Sequence, residues 1–278
     1  MADLVIPYAV LGALWLPTLT APPPTRSSGW ARSTPGPDRA AAVEAALRAV
    51  VGSETHVVDD ADGGHRSVRE VLDAVADQVV LDVGAVLPVP GRAAGVPGVA
   101  LLDALEAEQC LLLRTEGGSW ALVPQVEAFG TALEPGTLVR WQLSRLPFAE
   151  RPVPTLLGLV GSLRQARQDI AAALHGALDT FTDLDLAPGG GDGAALAAQV
   201  LRSELPRGLL PPGLDGPRVE VVVRAARLLA LAELAEDDDG GAVAAAQSGA
   251  RARALAELRD VARGALAAAS VQHPAHGV

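Results

Sequence analysis

Lysine and asparagine are absent from these 278 residues, so all 22 basic side chains are arginine. Without lysine there is no amine for a Schiff base and no P-loop ammonium for phosphate; without asparagine there is no N-glycosylation acceptor. Arg over Lys and Ala over Ile are the mark of GC-rich coding rather than of function. A single cysteine, Cys110, excludes an intramolecular disulfide and any CxxC metal or redox site. It lies in an apolar, strand-like run and reads as a buried, inert thiol. Aromatic residues make up only 3% although 49% of the chain is hydrophobic. The core must therefore be built from Ala, Leu and Val, a mixture that leans helical with some sheet.

Basic charge is also short. With 33 acidic residues the net charge is −11, which argues against nucleic-acid binding, where cations must displace the counterions of phosphate. One run, Leu4 to Thr20, has the length of a minimal membrane span. Pro7 and Pro17 interrupt it, Met-Ala-Asp precedes it where a secretory signal carries basic residues, and it is expected to be a buried strand or a core-docked segment. The chain is accordingly read as a cytoplasmic protein rather than a membrane one.

What is present divides near residue 150. Residues 21–38 are a Pro/Gly/Ser-rich loop containing Trp30. Asp38 is placed to cap a helix bearing Val43, Leu47, Val50 and Val51, which Gly52 stops. Ser67-Val-Arg-Glu70 is a capping box, with Val68, Val71, Leu72 and Val75 on one face behind it. Val79 to Val89 reads as a strand and Val99 to Glu108 as a short helix. Gln109–Leu113 and Trp120–Val123 read as strands joined at Glu116-Gly-Gly-Ser119. After a second turn at Glu134-Pro-Gly136, alternation sets Val139, Trp141 and Leu143 on one face and Arg140 and Gln142 on the other. The expected fold class is α+β: a small antiparallel β-meander with short helices over 1–150, and a bundle-like all-helical domain over 151–270. A flexible tail is expected over 271–278. In the second half, Leu156 to Phe181 forms a wide apolar helical stripe. Further helices are expected near 194–205, 219–235 and 242–269, the last with Leu255, Leu258, Val261 and Leu266 inward.

The densest set of ligand-type side chains is His56, Asp59, Asp60, Asp62 and His65, suited in kind to a divalent metal but matching no established spacing. The plainer reading is a solvated Asp/Gly loop between two helices. Glu236-Asp237-Asp238-Asp239 reads as a helix stop, and Gly189–Gly193, with no GK[ST] or GxGxxG beside it, as a connection. No GxSxG or HExxH motif occurs. Helices near 39–51, 67–77 and 99–107 ahead of the 110–123 hairpin follow the order of a winged helix, but Asp103, Glu106 and Glu108 on the third would repel DNA phosphate. Two functional expectations follow. The first is a non-enzymatic adaptor, assembly factor or accessory subunit that binds a protein partner or itself through the apolar helices of the second half. The alternative is a metal-dependent hydrolase or small-ligand-binding protein using the His56–His65 loop, its cofactor a divalent metal; the adaptor reading needs none.

Overall fold

The computed structural model describes residues 4–20, 39–61, 63–131, 134–147, 161–183, 192–237 and 245–274. These fall into two compact units. One comprises the described residues within Pro7–Leu159, Arg207–Gly213 and Ser270–Val278; the other those within Met1–Ile6, Val160–Pro206 and Leu214–Ala269. No helix among the described residues is long and apolar enough to cross a membrane.

The first unit is α+β. Its helices are α1 (Tyr8–Leu19), α2 (Arg39–Val50), α3 (Val68–Ala76) and α4 (Leu101–Ala107). Its strands are β1 (Thr55–Asp60), β2 (His65–Arg66), β3 (Val80–Val86), β4 (Cys110–Thr115), β5 (Gly118–Gly130) and β6 (Pro135–Leu146). They form one six-stranded sheet in the order β2-β1-β6-β5-β4-β3. The expected β-meander is its β4-β5-β6 part. The sheet is larger and mixed, because β1 pairs with β6 in parallel, Val58 opposite Trp141. The expected Asp/Gly loop between helices is the β1–β2 hairpin, in which Asp59 pairs with His65. The winged-helix order fails for the same reason: β1, β2 and β3 intervene between the helices, and the β4–β5 hairpin lies within the sheet.

Residues 4–20 are core-docked, as expected, but as a helix rather than a strand. Every residue of α1 from Ala9 to Leu16 is buried. A helix apolar all round needs cover on all sides; α1 lies over β3, β4 and β5 and against α2 and α3. Each fully buried Leu or Val contributes about 1.5–3 kcal/mol of transfer free energy. The first turn of α1 is met by a side chain distant in sequence, and its last turn by the Thr18 and Thr20 hydroxyls. The Ala9 amide, one of the orphan donors of a first turn, donates to Gln109 Oε1 at 3.1 Å. α3 forms as its sequence requires: both halves of the Ser67/Glu70 capping box are made, and Val68, Leu72, Val75 and Ala76 are buried.

The start of the expected flexible tail is docked. Gln272 pairs with Val83 on the outer edge of β3, and the Ser270 hydroxyl accepts from the Ala85 amide at 2.7 Å. An open sheet edge presents unpaired backbone groups, and this segment covers part of that edge.

The second unit is all helical: α5 (Leu163–Asp183), α6 (Asp192–Arg202), α7 (Gly216–Asp237) and α8 (Ala245–Ser270, its last residue grouped with the first unit). α7 packs with both α5 and α6. The buried face of α5 is Ala166, Ile170, Ala173 and Ala177, while Leu174 is 40% exposed. The wide stripe expected from the leucines is therefore displaced onto a narrow seam of small residues, which admits close helix approach. Leu156, Leu159 and Val160 lie outside the described residues. Arg167 bridges to Glu220 across the α5–α7 seam at 3.3 Å. α7 and α8 are tied by Arg218 to the Ala269 carbonyl and by Arg259 to Glu236 at 2.9 Å.

Candidate functional site

Strand alternation decides which side chains meet. On the face of the sheet beneath α1 and α3 stand Val58 of β1, Leu111 and Leu113 of β4, Trp120 and Leu122 of β5, and Trp141 and Leu143 of β6. With Trp15 and Leu16 of α1 and the apolar face of α3, they line a cavity of about 140 Å³. An engineered apolar cavity of about 150 Å³ stays dry and takes up benzene, so the space suits a small apolar molecule. Gly12 lets α1 approach this wall closely: a Cβ there would stand 2.6 Å from Leu111 Cδ1. The polar lining is sparse, consisting of Thr115, whose hydroxyl donates to Gln78 Oε1, Gln78 itself and Arg66.

Three of the four tryptophans of the chain, Trp15, Trp120 and Trp141, line this one cavity. In a chain so poor in aromatics, that concentration marks the site. Trp15 is anchored by its indole N–H on the Leu209 carbonyl at 2.8 Å. Trp141 donates to His56 Nδ1 at 3.1 Å. An indole only donates, so His56 Nδ1 is an acceptor and the neutral ring carries its proton on Nε2. That nitrogen is buried without a hydrogen bond and lies 3.5 Å from Glu54 Oε2. Tyr8 donates its hydroxyl to the same Glu54 oxygen and stands edge-on to the His56 ring, centroids 5.3 Å apart at 80°. Burial lowers the pKa of His56, against the opposing influence of Glu54, and raises that of Tyr8 together with Glu54. The arrangement is a neutral, buried ring cluster that holds Trp141 in place against the cavity.

The five residues singled out from the sequence are distributed differently from a metal centre. His56 and Asp60 lie on the helix-covered side of β1, and Asp59 on the other. Asp59 pairs with His65 at 2.6 Å and Arg140 at 2.8 Å; these hydrogen bonds, Arg140 first, lower its pKa. Asp60 lies 3.5 Å from Arg66, and Asp62 is outside the described residues. Among the described residues, no group of three or more His, Cys, Asp or Glu is placed to hold a metal ion. Tyr8, Glu54, Trp15 and Trp120 escaped the sequence reading, because tryptophans from separate elements give no local motif. The one available signal was Trp141 on the inward face of its strand.

Residues 29–156 match the model for the N-terminal domain of Rv1486c-like proteins, and residues 164–267 match the model for their C-terminal domain. Together the two matches cover most of the chain. The chain belongs to the Rv1486c-like family. The N-terminal match lies within the α+β unit, and the C-terminal match takes in the described helices of the all-helical unit together with Arg207–Gly213, which is grouped with the first; the described strands of the cavity fall within the N-terminal match, while α1 precedes it. No curated protein and no solved structure matches the chain.

Proposed function

We propose that the N-terminal domain is a small-molecule-binding module that takes an apolar ligand into the tryptophan-lined cavity. The observation that carries this reading is the gathering of Trp15, Trp120 and Trp141 around one largely apolar space. Aromatic walls with a few polar groups are the usual lining of small-ligand sites. A cytoplasmic site of action is part of the proposal, in keeping with a lone buried thiol and no disulfide. The test is titration with toluene or indole, followed by tryptophan emission for toluene and calorimetry for both. Saturable binding is expected, and Val71→Phe, which places a ring in the cavity from α3, is expected to weaken it at least tenfold while the domain stays folded. Absence of saturable binding by either probe defeats the proposal.

Association with a protein partner or a second copy is a second reading, favoured by Leu174 of α5 and Leu201 of α6, 40% and 57% exposed. Light scattering of the purified chain across a concentration series tests self-association; a monomer at every concentration removes that form of it.

A further inference from the structure

Within this binding reading, on which the inference rests, we propose that the ligand is an amphipathic carboxylate: an apolar body about the size of a phenyl or indole ring, in the cavity, with its anionic head on Arg66. Among the described residues, Arg66 is the one charged residue in the cavity lining, and no described carboxylate lines it, in a chain where acidic residues outnumber basic ones 33 to 22. A wall that is apolar but for Thr115 and Gln78 and bears a single cation selects for an anion with a greasy remainder.

The backbone holds Arg66 at this position from both sides. It pairs with Val58 across the β1–β2 hairpin and immediately precedes the Ser67 cap of α3. Its guanidinium pairs with Asp60 Oδ2 at 3.5 Å, the outer limit of a hydrogen bond, and its side chain is 51% exposed. A guanidinium has five N–H donors in a planar fork; the long contact with Asp60 and the charge interaction with Glu70 leave donors for a carboxylate that can accept two parallel hydrogen bonds. The first turn of α3 offers no competing anion site, because Glu70 already accepts from the Ser67 amide at 2.6 Å. Arg66 is therefore the anchoring group for the head, with Trp120 and Trp141 facing the body. Asp60 is the carboxylate that the ligand displaces from Arg66.

The experiment compares phenylacetate with phenylacetamide, its neutral isostere, by calorimetry on the full chain at pH 7.5 and low ionic strength. The wild-type chain and Arg66→Gln are titrated in parallel, with melting curves to confirm that the half-exposed substitution leaves the fold intact. Phenylacetate is expected to bind about tenfold tighter than the amide, and R66Q to abolish that ratio while leaving amide binding unchanged. Asp60→Asn, which removes the competing carboxylate, is expected to tighten phenylacetate alone. Equal affinities for acid and amide in the wild-type chain would overturn the anionic-ligand inference and leave the apolar-site reading standing. Failure of both compounds, together with toluene and indole, would overturn the two together.

Discussion

Gln272 donates its side-chain amide to the Ala13 carbonyl at 3.0 Å and to that of Leu14 at 3.3 Å. Ala13 needs this partner because of Pro17. The residue four places on normally donates to a helix carbonyl, and proline has no N–H to give. In a helix buried on all sides, water is a poor substitute, and an orphaned carbonyl costs about 1–3 kcal/mol. Gln272→Leu is therefore expected to destabilise the chain by roughly that amount in denaturant titrations. Pro17→Ala restores a donor to Ala13, so the same substitution should cost measurably less in the P17A background. Equal costs in the two backgrounds would mean that Gln272 does not answer the vacancy left by Pro17.

Acid should weaken the domain through His56. Burial holds the folded ring below its ordinary pKa, so the unfolded chain takes up the proton more readily. Stability is fully present above the ordinary imidazole value, about 6.5, and is lost as pH falls from there toward the lower folded value. The groups facing His56 are the Tyr8 hydroxyl, the Glu54 carboxylate and the Trp141 indole. His56→Gln retains an acceptor for Trp141 and does not titrate. Melting temperature measured from pH 7.5 down to 5 should fall in the wild-type chain and fall less in H56Q. Parallel curves would assign the acid sensitivity to other groups.

Local signals were legible in the sequence; pairings between distant segments were not. The Ser67/Glu70 box names its own helix because both hydrogen bonds lie within four residues. Alternation along β6 put Val139 and Trp141 inward and Arg140 outward, and both tryptophan and valine are buried while Arg140 pairs with Glu127 and Asp59. The parallel β1–β6 pairing joins segments some eighty residues apart, and nothing in Thr55–Asp60, where polar residues flank two valines, announces a strand. α1 was ambiguous because its two prolines suggest interruption, whereas Pro7 stands at the N-cap and Pro17 is compensated by Gln272. His56 was visible as a ligand-type residue, but its role depends on Trp141 and Tyr8, which the sheet and α1 bring to it from opposite ends of the domain.

Cys110 should resist thiol reagents in the folded chain. Burial pushes its thiol up to about 12, against a hydrogen bond from the Leu122 backbone that acts in the other direction. At pH 8 the reactive thiolate is then on the order of one part in ten thousand of the folded population. Colorimetric thiol titration should show negligible reaction under native conditions and one equivalent in denaturant. Rapid native labelling would place Cys110 on an accessible surface instead of in β4.

Asp82 is only 2% exposed, yet it joins three segments. Arg114 of β4 pairs with one of its oxygens and His273, beyond the end of α8, with the other. Removing one member of a buried ion pair strands the other and costs about 3–5 kcal/mol, whereas replacing the pair by apolar side chains of similar volume is often neutral. Asp82→Ala is therefore expected to lower stability by several kcal/mol and to loosen the segment at 271–274, seen as faster amide exchange at Gln272. The double substitution Asp82→Leu, Arg114→Met should recover much of the stability but not the exchange protection, because His273 has no carboxylate to hold. If D82A leaves exchange at Gln272 unchanged, the backbone pairing with Val83 docks that segment without help from the ion pair.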